Sequence, residues 1–155
     1  MRPGDGHINA RESGFTLVEL LIVVMIIGML AAIAVPMFLS DRVSAGDGTA
    51  KELLHTAQTA AVIYSLNSGS AGYAGMNPAA LKQTEPSINT TANGQAVLVN
   101  ATPTTTGYIL TVVSSSADTF NMTSANGALT RTCLVASANG NTHTNTGGGC
   151  TGGGW

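Results

Sequence analysis

A single carboxylate, Glu19, stands at the edge of a long apolar run, and no residue of this chain more plainly invites a specific chemistry. A carboxylate costs a few kcal/mol at the centre of a bilayer and less near its edge, so it is retained there when it finds a partner. The plainer reading is a flanking charge resting among the lipid headgroups.

Other chemistries find little to work with. The histidines are His7, His55 and His143. None stands in a Ser/His/Asp or Cys/His pattern of known spacing. His55 reads as a solvated residue on a helix. Zinc held by Cys133, His143 and Cys150 would lack a fourth ligand and the usual close cysteine pair. Calcium wants several oxygen ligands with carboxylates among them, and no Asp or Glu follows Asp118. The expectation is therefore no enzyme, no metal and no cofactor. Cys133 and Cys150 form an even pair beside an export-type apolar segment, which reads as one disulfide; two free thiols are the alternative. Closing that loop is worth about 3 kcal/mol in the chain-entropy model.

The elements that must position these residues follow from composition and period. The chain has 155 residues, and only 9% of them are charged, against about 25% in ordinary globular chains. Net charge is −2, with no basic run, so no specific nucleic-acid partner is expected. Residues 1–14 are polar, with Arg2 and Arg11. From Leu20 to Ser40 there is no charge, and at about 1.5 Å per residue that is a helix of roughly 32 Å, enough to cross a bilayer. The positive leader keeps residues 1–14 in the cytoplasm and puts everything after Arg42 outside. A secretory signal has a shorter apolar core with cleavage after it. Ala32-Ile33-Ala34 fits such a site poorly, because the apolar run continues through Leu39.

Beyond the membrane, Ala50, Leu53, Leu54, Ala57, Ala60, Ala61 and Tyr64 recur at spacings of three and four, an apolar stripe on a helix. Gly46-Asp47-Gly48 reads as a weak point ahead of it, and the helix should end near Leu66 before Asn67-Ser68-Gly69-Ser70. Ala96–Asn100, Tyr108–Ser114, Thr119–Thr123 and Leu129–Ala136 read as strands of an antiparallel meander. Periodicity does not choose the buried face of the second run. Residues 67–95 form a long loop in which Gly72-Tyr73-Ala74 and Pro78-Ala79-Ala80-Leu81-Lys82 read as a turn or a short helix. The Gly-rich tail, 140–155, would be loose without the cysteine bond. Asn89-Thr90-Thr91, Asn100-Ala101-Thr102 and Asn121-Met122-Thr123 match the N-glycosylation pattern, and they read as solvated polar surface.

Gly14-Phe15-Thr16-Leu17-Val18-Glu19, continued to Pro36, resembles the N-terminus of type IV pilins and of the related type II secretion pseudopilins. The likeness covers Ser13 to Pro36 at almost every position; past Pro36 it is architectural only. It implies an α+β fold, with a long N-terminal helix on a small antiparallel sheet. The parts would be a cleaved leader (1–14), a transmembrane polymerisation helix (15–40), its amphipathic continuation (41–66) and an extracellular head (67–155). A prepilin peptidase would cut between Gly14 and Phe15 and methylate the Phe15 amine. Glu19 would pair with the Phe15 amine of a neighbouring copy. Gly28 and Pro36 would bracket a stretch that melts in the filament, with a kink at Pro36 in the monomer; otherwise they are ordinary membrane-helix residues. The implied partners are copies of the same chain, the peptidase, the bilayer, and an inner-membrane platform with its ATPase motor. Adhesion, motility and DNA uptake are the implied uses of the filament. A pseudopilin, a minor pilin at the tip and a membrane-anchored binding module are the competing readings. The absence of carboxylates near the C-terminus speaks against the major pseudopilin.

Overall fold

The computed structural model describes residues 14–136, 143–144 and 149–155. His7, the leader ahead of Gly14 and the side chain of His143 lie outside the described residues. Helix α1 spans Leu17–Asn67, followed by a 3-10 turn at Gly69–Ala71 and helix α2 at Pro78–Thr84. Five strands follow: β1 (Val97–Thr104), β2 (Gly107–Val113), β3 (Thr119–Ala125), β4 (Ala128–Ala136) and β5 (His143–Thr144). The chain separates into two units, Met1–Phe38 and Leu39–Trp155, and α1 contributes to both.

In the first unit the helix is apolar on every face, and its large side chains, Leu17 to Phe38, are exposed. Such a helix is at home only where something apolar surrounds it. It is long and apolar enough to cross a membrane. The helix runs through Gly28 and Pro36 without interruption. Pro36 has no N–H to offer the Ala32 carbonyl.

The second unit is the α+β body expected from the sequence. Ala50, Leu54, Ala57, Ala60 and Ala61 are buried, and Leu53 and Tyr64 pack beside them. Small alanines let the helix lie close over the sheet. The strands form one meander in the order β1-β2-β3-β4-β5, every pair antiparallel. Tyr108, Leu110 and Val112 of β2 face the helix, with Phe120 and Met122 of β3, Cys133 of β4, and Leu98 and Ala101 of β1. In β1 the register slips between Leu98 and Asn100, so Val99 has no partner in the ladder and is half-exposed. Such bulges bend an edge strand away from further pairing. α2 begins at Pro78 behind Asn77, whose side chain accepts from the Ala80 N–H at 3.0 Å.

Two expectations are corrected. Gly46-Asp47-Gly48 is no weak point, since α1 passes through it and Gly46 and Asp47 are buried. A Cβ at Gly46 would collide with the Ser115 hydroxyl, so glycine there admits the β2–β3 turn against the helix. Tertiary contact outweighs glycine's low helix propensity. Two of the three glycosylation-pattern asparagines are also more than solvated surface, while Asn100 is exposed as expected. Asn89 is half-buried and donates to the Ala96 carbonyl at 2.9 Å, and half-buried Asn121 accepts from Thr111 Oγ1 at 2.8 Å.

Candidate processing and assembly site

Gly14, Phe15 and Thr16 are non-helical, and α1 begins at Leu17. What starts it is a reciprocal cap. Glu19 N–H donates to Thr16 Oγ1 at 3.2 Å, while Thr16 N–H and its hydroxyl donate to Glu19 Oε2 at 3.1 and 3.0 Å. This is the Thr-x-x-Glu capping box, in which two otherwise unpaired donors of the first turn are satisfied. A carboxylate in the first turn also complements the positive end of the helix dipole.

Three of the expected residues are thus together at one helix start. Phe15 is 87% exposed, Glu19 is exposed, and nothing lies within 4 Å of where a Gly14 side chain would sit. The Gly14–Phe15 peptide bond therefore lies in open, non-helical backbone one residue ahead of the cap. A protease needs such backbone, because helical hydrogen bonds would hold it out of an extended substrate groove. Gly28 and Pro36 lie further along the same helix. Thr16 went unnoticed in the sequence reading, although the Thr-x-x-Glu spacing marks it.

Removing the Thr16 hydroxyl should loosen this start. For Thr16→Val we expect a loss of about 1 kcal/mol at the first turn, and so roughly fivefold faster exchange of the Glu19 amide hydrogen in detergent micelles. An unchanged exchange rate would mean that the box does not hold the helix start.

The cysteines occupy a second locus. Cys133 of β4 and Cys150 are bonded, with Cα atoms 5.8 Å apart and a separation of 17 in sequence. Neither thiolate is available to zinc. No group of three or more His, Cys, Asp or Glu gathers among the described residues. The bond brings the C-terminal segment against the sheet. The Cys133 N–H donates to the Gly153 carbonyl at 2.8 Å, Trp155 Nε1 donates to the Thr132 carbonyl at 3.2 Å, and Lys51 Nζ donates to the Gly149 carbonyl at 2.9 Å. The Trp155 ring meets Phe120 and His55 edge-on, with centroids 6.1 and 5.7 Å apart. The guanidinium of Arg131 sits 5.4 Å from the Trp155 ring centre. His55 is exposed, as expected, yet it touches Trp155, and sequence carried no signal of that.

Comparison with known proteins bears on the first locus. Residues 9–35 match the family model described as the prokaryotic N-terminal methylation motif. Over 55 residues the chain is 50% identical to the type IV major pilin protein PilA of Myxococcus xanthus (strain DK1622). That stretch is 34% of this chain and 25% of the relative, so the chain spans about a quarter of the length of the curated protein that it matches. No solved structure matches the chain.

Proposed function

We propose, from its N-terminal segment, that the chain is a type IV pilin and the structural subunit of a type IV pilus. It enters the inner membrane as a single-pass precursor. Prepilin peptidase cuts between Gly14 and Phe15, removes residues 1–14 and methylates the new amine. Residues 15–40 hold the subunit in the bilayer until it joins the filament base, and residues 41–66 carry the helix into the head, 67–155. An assembly platform and its ATPase motor drive the transfer. The finished filament lies outside the cell and serves adhesion, motility or DNA uptake.

The observation that carries this reading is the first helical turn. An accessible Gly14–Phe15 bond, a capped helix start and a carboxylate at Glu19 precede a helix that is apolar on every face. The open bond suits cleavage, the apolar helix insertion, and the carboxylate subunit pairing. An all-round apolar helix suits lipid first and a bundle of identical helices afterwards, since both surround it with hydrocarbon.

Mass spectrometry on filaments sheared from cells tests the proposal. The expected species begins at methylated Phe15 and is two mass units light for the Cys133–Cys150 bond. Chain found only in membranes, still carrying residues 1–14, would overturn it in favour of a membrane-anchored module.

A further inference from the structure

The β2–β3 turn is fastened to α1 through two buried acids. Asp47 of α1 is 1% exposed and Asp118 of the turn 2%. Ser116 Oγ lies 2.8 Å from Asp47 Oδ1, 2.7 Å from Ser114 Oγ and 3.4 Å from Asp118 Oδ2. The Asp118 N–H donates to Ser114 Oγ at 3.1 Å, and the Ala136 N–H donates to Asp118 Oδ1 at 2.7 Å. Asp47 Oδ2 is buried with no hydrogen-bond partner.

Counting protons shows a deficit. Ser114 and Ser116 each carry one hydroxyl proton. Ser116, with one proton to give, lies against both Asp47 Oδ1 and Asp118 Oδ2, and among the described residues no donor reaches Asp47 Oδ2. Two buried carboxylates with so few donors between them are costly, and one proton held between them removes the repulsion and supplies the donor that Asp47 Oδ2 lacks. We propose that Asp47 and Asp118 form an acid pair that shares one proton, and that this proton latches the β2–β3 turn onto the helix. The latch closes in acid and weakens as the medium turns alkaline.

The surroundings agree. Burial foremost, with a further push from the Asp118 charge, raises the Asp47 carboxyl above its ordinary value, against hydrogen bonds from Ser116 and Ser114 that lower it. The charged neighbours are few. On α1, Arg42 lines a surface groove with Ser115 and Ser116, and Lys51 is turned to the Gly149 carbonyl. The turn offers only Asp118. On β5, His143 pairs with Ala136 through the backbone. With its carboxyl raised, folded Asp47 holds a proton that the unfolded chain would release. Its contribution is therefore full below the ordinary aspartate value of 3.8 and is lost as pH rises through the raised one.

The test uses the full chain in detergent micelles and so does not depend on filament formation. Thermal unfolding is followed by emission of the single tryptophan, Trp155. Asp47→Asn supplies a permanent donor in place of the shared proton, and Asp118→Asn does the same from the other side. Between about pH 5 and pH 8 the wild-type Tm should fall relative to either variant by about 3 °C or more. His143→Gln should keep the wild-type slope. The infrared spectrum at neutral pH should contain a protonated carboxyl stretch that is absent from both Asn variants. Parallel pH profiles for wild type and variants, or no such stretch, would overturn the proposal. So would a Tm raised by millimolar calcium in wild type but not in Asp47→Asn, which would make the pair a cation site instead.

Discussion

Cells carrying Glu19→Ala should insert the protein normally and yield at least about tenfold fewer sheared filaments, the loss expected when a charge-assisted bond worth about 1.5–3 kcal/mol is removed from each contact. Insertion depends on the uncharged run from Leu20 to Ser40, which the substitution leaves intact. Assembly, in the proposed role, needs the carboxylate to meet the Phe15 amine of the next copy. The capping box adds a complication, because alanine also removes the bonds from Thr16 to Glu19 Oε2. Glu19→Gln separates the two roles. A glutamine oxygen can still accept from Thr16, but it carries no charge. Filaments counted by electron microscopy should be lost in both variants if charge pairing sets register. Normal filaments with glutamine and none with alanine would assign Glu19 to the helix cap, and the pairing argument would fall.

The second large effect belongs to the head. Replacing both Cys133 and Cys150 with serine should cost about 3 kcal/mol, the loop-closure entropy of a cross-link of this size. Trp155 should report it. Its ring lies edge-on to Phe120 and near the Lys51 ammonium, which is 5.9 Å from the ring centre. Without the cross-link, the contacts of Trp155 and the hydrogen bonds to the Gly149 and Gly153 carbonyls must hold the segment from Gly149 onward. Urea unfolding in micelles should show a lower midpoint than wild type, and Trp155 emission should shift to the red before the main transition. An unchanged midpoint would mean that the packing of Trp155 suffices and that the bond adds nothing to stability.

Much of the fold was legible because its signals are local. The alanine and leucine stripe on α1, the breaker cluster after Leu66 and the strand runs of the meander depend on residues a few positions apart. Helix α1 ends at Asn67, one residue from the expected place. Asn126-Gly127, with φ of 52° and 80°, makes the tight turn between β3 and β4, and that dipeptide is a strong hairpin signal. Thr16 was legible in the same way.

Other features were not. The alternation in β2 is apolar on both faces, and only docking on α1 selects Tyr108, Leu110 and Val112 for the interior. The bulge at Val99 has no local marker.

Sequence by itself determined the N-terminal segment: its apolar length, its isolated carboxylate, its cap and its resemblance to pilins. Each of these rests on covalent neighbours and on the solvent around one helix, so no distant residue is needed to read it. Only the tertiary structure decided how the head is tied together. Ser116 reaches Asp47 across 69 positions, and Lys51 reaches Gly149 across 98. Gly46-Asp47-Gly48 carries a helix-weakening local preference, which contact with the β2–β3 turn reverses. The energy of such contacts depends on burial, and burial exists only after the chain has closed on itself.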